Sequence, residues 1–322
     1  VDESGNTDTF TVVLNAQPSS NVVLDITSSD TGEATVTSSL TFTSANWDTA
    51  QTVTVTGADD DIVDGSVSST ITVTVNDGSS DDNFDSVADQ TVSVTTDDDD
   101  VAGFTIAETA GSTGVDESGN TDTFTVVLDK APLSDVVLSI SSSDSGEATV
   151  TSSLTFTSAN WDTAQTVTVT GADDNAIDGS VTSTITVAVN DGSSDDAFDS
   201  VADQTVSVTT DDDDVAGFTV TETEGSTGVI EAGSTDLFAV VLNAQPSSDV
   251  VFAISSSDTG EATVTSSLTF TSANWDTPQN VTVTGVDDDI IDGTQTLTST
   301  ISIIGAISDD NFDSVADQTV SV

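Results

Sequence analysis

The sequence predicts an all-β chain of tandem antiparallel β-sandwiches with about seven strands each. Three observations support this fold class. The whole sequence repeats with a domain-sized period, short segments in each period alternate apolar with polar residues, and turns rich in Gly, Ser and Asp separate those segments. No stretch shows a convincing helical periodicity.

The repeat is visible by self-comparison. The run VDESGNTDTF begins at Val1 and at Val115, and the variant VIEAGSTDLF begins at Val229, so the period is 114 residues. That length exceeds a solenoid unit and matches a single domain. The first domain is expected to lack its opening strand, and the third its closing acidic run. The predicted domains are residues 1–101, 102–215 and 216–322.

The second period shows the predicted strands in full. In TDTFTVVL, for example, Phe124, Val126 and Leu128 alternate with more polar neighbours. The number and spacing of such segments are typical of an immunoglobulin-like sandwich. In chain order the segments are GFTIAE from Gly103, TDTFTVVL from Thr121, DVVLSIS from Asp135, TSSLTFTS from Thr151, AQTVTVTG from Ala164, TSTITVAVN from Thr182 and DQTVSVTT from Asp203.

Charge is the most unusual property of the chain. It has 57 Asp and Glu residues against one cation, Lys130, for a formal net charge of -56. Such self-repulsion opposes compaction, so cations from solution must neutralise it. Disorder is the first alternative, but the chain is 35 % hydrophobic and strongly patterned.

The composition also excludes several functions. Nucleic acid and anionic membranes are unsuitable partners, because phosphate binding needs Lys and Arg. The absence of Cys and His removes disulfides, zinc sites and histidine or thiolate catalysis. We predict that the chain is not an enzyme, and no segment is apolar enough for direct membrane insertion.

The acidic residues fall at strand ends. Loops two strands apart emerge at the same end of an antiparallel sandwich, so the loops after Thr56 and Thr96 are expected to meet the turn near Glu3 at one pole. Two carboxylates about 5 Å apart repel by about 3 kcal/mol at an effective dielectric of about 20. Calcium accepts about 6–8 oxygen ligands and would relieve this repulsion.

A solvated, halophile-like acidic surface is the alternative to calcium. It would spread Asp and Glu along exposed strand faces, which here carry mostly Ser and Thr. Calcium is therefore favoured for the DDD run at Asp59 and the DDDD run at Asp97. Both interpretations stay open for Asp81 to Asp89, where D-x-N-x-D resembles an EF-hand loop without its mid-loop Gly and terminal Glu.

Four segments in order resemble the Calx-β domain family, and the resemblance covers each repeat nearly end to end. They are the acidic start VDESG at Val115, the strand LTFT leading to QTVTVTGADD, the acidic turn GADDDIVDG at Gly57, and TTDDDDVAGF at Thr95. The resemblance implies a Calx-β-like sandwich whose ligands for Ca²⁺ cluster at one pole. Asp64 stands where binding members often have Glu, Asn175 replaces the third Asp of its turn, and Glu33 could serve instead of Asp30.

Carried over residue by residue, the resemblance implies ligands in all three repeats, including one backbone carbonyl in each. In the first they are Glu3, Asp30, Asp59, Asp60, Ile62 (carbonyl), Asp64, Asp98, Asp99 and Asp100. In the second they are Glu117, Asp144, Asp173, Asp174, Ala176 (carbonyl), Asp178, Asp212, Asp213 and Asp214. In the third, which is incomplete, they are Glu231, Asp258, Asp287, Asp288, Ile290 (carbonyl) and Asp292.

The tandem copies also resemble the extender regions of large bacterial surface adhesins exported by type I secretion. This resemblance implies an extracellular, cell-surface location and a role in adhesion or biofilm formation. The expected partners are neighbouring repeats of the same chain, with lateral self-association into fibres as a second expectation. The alternative function is a module that itself contacts carbohydrate, ice or another cell surface.

Overall fold

The chain folds into strands joined by turns and three-residue 3-10 helices, in a computed structural model that describes residues 1–291 and 293–322. This confirms the predicted all-β class. Within those residues no helix is both long and apolar enough to cross a membrane.

The strands of the first repeat are β1 (Thr7–Val12), β2 (Val22–Ser28), β3 (Ala34–Val36), β4 (Ser39–Phe42), β5 (Gln51–Gly57), β6 (Ile62–Val63), β7 (Val67–Val75) and β8 (Gln90–Thr96). Those of the second are β9 (Phe104–Glu108), β10 (Thr113–Asp116), β11 (Thr121–Leu128), β12 (Ala131–Pro132), β13 (Val136–Ser142), β14 (Ala148–Val150), β15 (Ser153–Phe156), β16 (Gln165–Gly171), β17 (Val181–Val189) and β18 (Gln204–Asp211). Those of the third are β19 (Phe218–Glu222), β20 (Thr235–Leu242), β21 (Val250–Ser256), β22 (Ala262–Val264), β23 (Ser267–Phe270), β24 (Gln279–Gly285), β25 (Thr298–Ile303) and β26 (Gln318–Ser321). The 3-10 helices are Asp77–Ser79, Thr109–Gly111, Asp191–Ser193, Asp196–Phe198, Thr223–Gly225, Gly305–Ile307 and Asp310–Phe312.

The second repeat is a sandwich of two sheets. One sheet has the order β14-β16-β11-β9 and is antiparallel throughout. The other has the order β10-β18-β17-β13-β15, and β10 joins it by parallel pairing with β18. The alternating apolar side chains of both sheets meet between them, and Phe124, Leu138, Phe156 and Ile185 are fully buried there. Burying each such side chain stabilises the fold by about 1.5–3 kcal/mol.

The other two repeats share this plan with fewer strands. Their sheets are β1-β5-β3 with β4-β2-β7-β8, and β19-β20-β24-β22 with β23-β21-β25-β26. Residues 1–101 contain no counterpart of β9, so the outer edge of β1 has no strand partner. Phe10 and Val12 are consequently half-buried, whereas their counterparts Phe124 and Val126 are fully buried.

The second repeat contains all seven expected strands and three additional short ones. The additional strands are β10, β12 and β14, of two to four residues each. Alternation over so few residues gives no recognisable pattern. Each of the three periods has its own hydrophobic cluster, and the domain boundaries between them stay predictions.

Consecutive repeats are joined by a parallel backbone bridge. At the first junction β6 pairs with β12, where the Ala131 amide donates to the Asp61 carbonyl at 2.7 Å. Val63 packs against the core of the second repeat. Residues 175–177 and Gln245 form the equivalent bridge at the second junction. The acidic turn after β5 therefore also belongs to the junction.

Candidate metal centre

Glycine at the end of β16 allows the acidic start of the repeat to approach the sheet closely. A Cβ at Gly171 would lie 1.9 Å from the Asp116 carbonyl oxygen, and a Cβ at Gly57 would make the equivalent clash at 1.8 Å. The amide of Glu117 donates to the Asp211 carbonyl at 3.1 Å, which continues the β10–β18 pairing. The outcome is that the Glu117 side chain enters the pole of the sandwich, where only 1 % of the residue is exposed.

The first pole contains two groups of three carboxylates that share Glu3. One group adds Asp98 and Asp100, and the other adds Glu33 and Asp64. Within each group, one oxygen from every residue lies within 4.8 Å of the others. Glu3 and Glu33 are 1 % and 6 % exposed, so the shared residue and one of its neighbours are shielded from water.

The second pole has the same arrangement around Glu117. Asp212 and Asp214 complete one group, and Glu147 and Asp178 complete the other, again with oxygens within 4.8 Å. The same geometry thus recurs 114 residues along the chain, where the sequence repeats.

A single carboxylate connects the two acidic loops at each pole. Oδ2 of Asp98 accepts hydrogen bonds from the amides of Asp64 at 3.0 Å and Gly65 at 2.8 Å. Its Oδ1 accepts the Asp100 amide at 2.7 Å. In the second repeat Asp212 makes the same three bonds. These bonds hold the turn after β5 against the closing run of the repeat.

Several buried oxygens at the two poles have no hydrogen-bond partner within the described part of the chain. Leaving a buried carboxylate oxygen without a partner is costly, because no donor stabilises the negative charge on that atom. A bound cation would supply the missing interaction. The atoms are Oε2 of Glu3, Glu33, Glu117 and Glu147, Oδ1 of Asp64, and Oδ2 of Asp100 and Asp214.

Burial raises the pKa of Glu3 from its usual 4.5 to about 7, and the negative charges of Asp60 and Asp98 add to the effect. The pKa of Glu117 rises to about 7 for the same reasons, with Asp174 and Asp212 as the nearest charges. Burial followed by repulsion from neighbouring carboxylates also raises the pKa of five further members, Glu33, Asp64, Glu147, Asp178 and Asp214.

The donor set fits a hard divalent cation. All side-chain donors are carboxylate oxygens, and calcium accepts about 6–8 oxygens in flexible geometry, including bidentate carboxylates. Softer metals prefer His or Cys, which the sequence lacks. The clusters could therefore hold a metal ion, and calcium suits their chemistry best.

The structure brings together only some of the residues that the resemblance implied. Asp30 and Asp144 are exposed, and each accepts an amide two residues ahead at 2.9 Å, in a local turn. Glu33 and Glu147 take the places in the clusters, because the turns before β3 and β14 place these residues at the poles. Six further predicted ligands lie outside the three-residue groups, namely the exposed Asp59, Asp99, Asp173 and Asp213, and the half-buried Asp60 and Asp174.

The predicted carbonyl ligands lie on the segments that bridge to the next repeat. Ile62 pairs with Ala131, and Ala176 pairs with Gln245. The Asp60 carboxylate accepts the Ile62 amide at 2.7 Å, so this aspartate shapes the turn that leads into the bridge.

At the third pole the described residues form no such group. Glu231 and Glu261 are half-exposed and line a cavity of about 570 Å³. Asp258 makes the same local turn as Asp30. Residues 216–322 include no counterpart of the closing run, and Asp292 is outside the described residues. The other predicted ligands there, Asp287, Asp288 and Ile290, are exposed or half-exposed.

The EF-hand-like segment at Asp81 has a structural role. Asp81 is 4 % exposed, and its Oδ2 accepts the amide and hydroxyl of Ser19 and the amide of Ser20, at 2.6 to 3.1 Å. Its Oδ1 accepts the amide and side-chain nitrogen of Asn83. The Ser19 hydroxyl and these amides lower the Asp81 pKa. These hydrogen bonds stabilise the carboxylate.

Comparisons with known proteins found no matching family model and no matching curated protein. Among solved structures, the chain is similar to the calcium binding domain CBD12 of CALX1.1, with 13 % identity, a TM-score of 0.27, and coverage of 62 % of this chain and 80 % of that one. It is also similar to the S-layer protein rSbsC(31-844), with 15 % identity, a TM-score of 0.29, and coverage of 94 % and 35 %. A third similar structure is the 3Ig structure of titin, with 9 % identity, a TM-score of 0.26, and coverage of 98 % and 91 %.

Proposed function

We propose that this chain consists of structural extender repeats from an extracellular adhesin or surface fibre, and that Ca²⁺ at its poles stiffens its junctions. One observation carries the proposal: the turn after β5 serves both pole and junction. It supplies Asp64 to the first cluster, and its strand β6 pairs with β12 of the next repeat. A cation that orders this turn would also fix the orientation of the next repeat.

The covalent connection is short as well. Only residues 101–103 separate Asp100 from β9 at the first junction. Such a linker leaves little hinge freedom once both of its ends are held. Without a cation, repulsion among the buried carboxylates loosens the turn and the closing run together. The expected affinity is that of extracellular calcium modules, about 10⁻⁴–10⁻³ M.

Thermal unfolding and small-angle scattering of the whole chain test the proposal. In millimolar calcium we expect a higher unfolding midpoint and a longer, narrower particle than in chelator, with a smaller response to magnesium. An unchanged midpoint and particle length would refute calcium stiffening and leave the solvated acidic surface. Scattering that changes with protein concentration would reveal lateral association into fibres.

The same chain, immobilised, also tests the alternative function. Extender repeats should not retain carbohydrate, ice or cells on their own, because their role is to hold another domain at a distance. Calcium-independent capture of one of these ligands would favour a direct binding module instead.

A further inference from the structure

The only cation in the sequence lies at the first junction. Lys130 Nζ is 2.7 Å from Oδ1 of Asp61 and 2.6 Å from Oδ1 of Asp100. Both carboxylates belong to the first repeat and the lysine to the second, so the ion pairs cross the junction. The Asp100 side chain is 5 % exposed, which shields its contact with Lys130 from solvent screening.

The second junction has the same backbone bridge but lacks counterparts of both Lys130 and its exposed partner Asp61. Gln245 donates its amide to the Asn175 carbonyl at 2.6 Å, just as Ala131 does to Asp61. One period after Asp61 the residue is Asn175, and one period after Lys130 it is Ala244. The second junction therefore has neutral residues in place of both the acidic and the basic residue of this ion pair, and the two junctions differ in their electrostatics.

Lys130 also touches the first metal cluster. Its partner Asp100 belongs to the group with Glu3 and Asp98, while the corresponding group at Glu117 has no ammonium beside it. The ammonium donates hydrogen bonds to the carboxylates of Asp100 and Asp61, which raises the Lys130 pKa, so the ammonium stays charged at neutral pH. A fixed positive charge at this position repels a divalent cation, and its ion pair with Asp100 occupies one of the carboxylates that would bind the cation.

We propose that Lys130 acts as a tethered cation that holds the first junction together without metal and weakens divalent-cation binding at the first pole. The two poles, with matching donor sets, then fill at different calcium concentrations, the second before the first. The affinity part rests on the proposed function above, whereas the junction part does not.

The sequence itself provides the matched variants. Lys130→Ala removes the ammonium, and Asp61→Asn with Lys130→Ala reproduces the residues of the second junction at an unchanged net charge. Because the chain has no cysteine, single cysteines at the exposed, equivalent positions Ser44, Ser158 and Ser272 can carry spin labels. The first pair of labels then spans one junction and the second pair spans the other.

In chelator, we expect a narrow distance distribution across the first junction and a broad one across the second. Both variants should broaden the first distribution to resemble the second. Unchanged distributions in both variants would overturn the junction part, whatever calcium does. Unfolding midpoints of the labelled variants show that each repeat remains folded.

Calcium titration calorimetry tests the affinity part, with Glu117→Gln as the background that disables the second pole. There, Lys130→Ala should tighten calcium binding at the first pole by about tenfold, as expected for removing an adjacent positive charge. Calcium binding with equal affinity in the presence and absence of Lys130 would overturn this part alone. If the unchanged chain binds no calcium at either pole, the proposed function fails together with it.

Discussion

Replacing Glu117 by glutamine is expected to stabilise the second repeat in chelator and to weaken its response to calcium. Glu117 is 1 % exposed, and burial and nearby charges raise its pKa from 4.5 to about 7. Such a rise corresponds to about 3 kcal/mol against the ionised carboxylate at pH 8. Glutamine avoids this cost, but it also removes the charge that a cation would need.

The stabilisation expected from Glu117→Gln depends on pH, and the pKa of Glu117 determines the direction of that dependence. The folded-state pKa of Glu117 lies above the unfolded value, so the folded chain retains the proton to higher pH. The destabilisation is fully present above about pH 7 and is lost as the pH falls towards 4.5. The advantage of Glu117→Gln in chelator should therefore shrink from about 3 kcal/mol at pH 8 to about 1 kcal/mol at pH 5.

Fluorescence of Trp161, which packs against the second core, reports the unfolding of this repeat when Trp47 and Trp275 are replaced by phenylalanine. For a domain of about 100 residues, 3 kcal/mol raises the midpoint by about 10 °C or more. The control is Asp203→Asn, which removes an exposed charge outside the clusters. A lower midpoint for Glu117→Gln in chelator at pH 8 would refute the assignment of electrostatic strain to this residue.

Three further predictions concern the poles and the fold. In chelator the thermal unfolding midpoint of the whole chain should decrease as the pH rises from 5 to 8, because ionising Glu3 and Glu117 in the folded state costs free energy. Saturating calcium should reverse this trend in the same pH series. Gly171→Ala should displace the acidic start of its repeat, and calorimetry should then detect no calcium binding at that pole. Gly114→Ala is the control and should leave binding unchanged, because its Cβ would lie 3.8 Å from the nearest atom. Asp195→Ala removes a buried hydrogen-bond acceptor and should cost about 1–3 kcal/mol of unfolding free energy in denaturant, equally with calcium and with chelator.

Among the additional strands, β10 was missed because it depends on a partner far along the chain. Its four residues pair in parallel with β18, about 95 residues later by the registers of the two strands. The sequence VDESG shows only an acidic turn signal, since pairing with a distant strand leaves no local alternation. This strand nevertheless positions Glu117, and Gly171 makes room for it.

The choice between Asp30 and Glu33 shows a similar limit. Both lie in one acidic loop, and the resemblance favoured Asp30. In the fold, Asp30 caps its own turn, while the backbone carbonyl of Glu33 accepts the Ala58 amide at 2.8 Å and brings its side chain into the pole. Burial was decided by a contact with the end of another strand, which no local pattern encodes.

The sequence by itself determined the repeat, the all-β class, the inward faces of the long strands and the placement of acidic runs at strand ends. These features depend on the order of neighbouring residues and on the two-residue period of a strand. Only the tertiary structure decided which carboxylates converge, that Glu3 and Glu117 are each shared by two groups, that Asp81 is satisfied by hydrogen bonds, and that Lys130 crosses a junction. Those outcomes depend on distances between segments far apart in the chain, and folding alone establishes such distances.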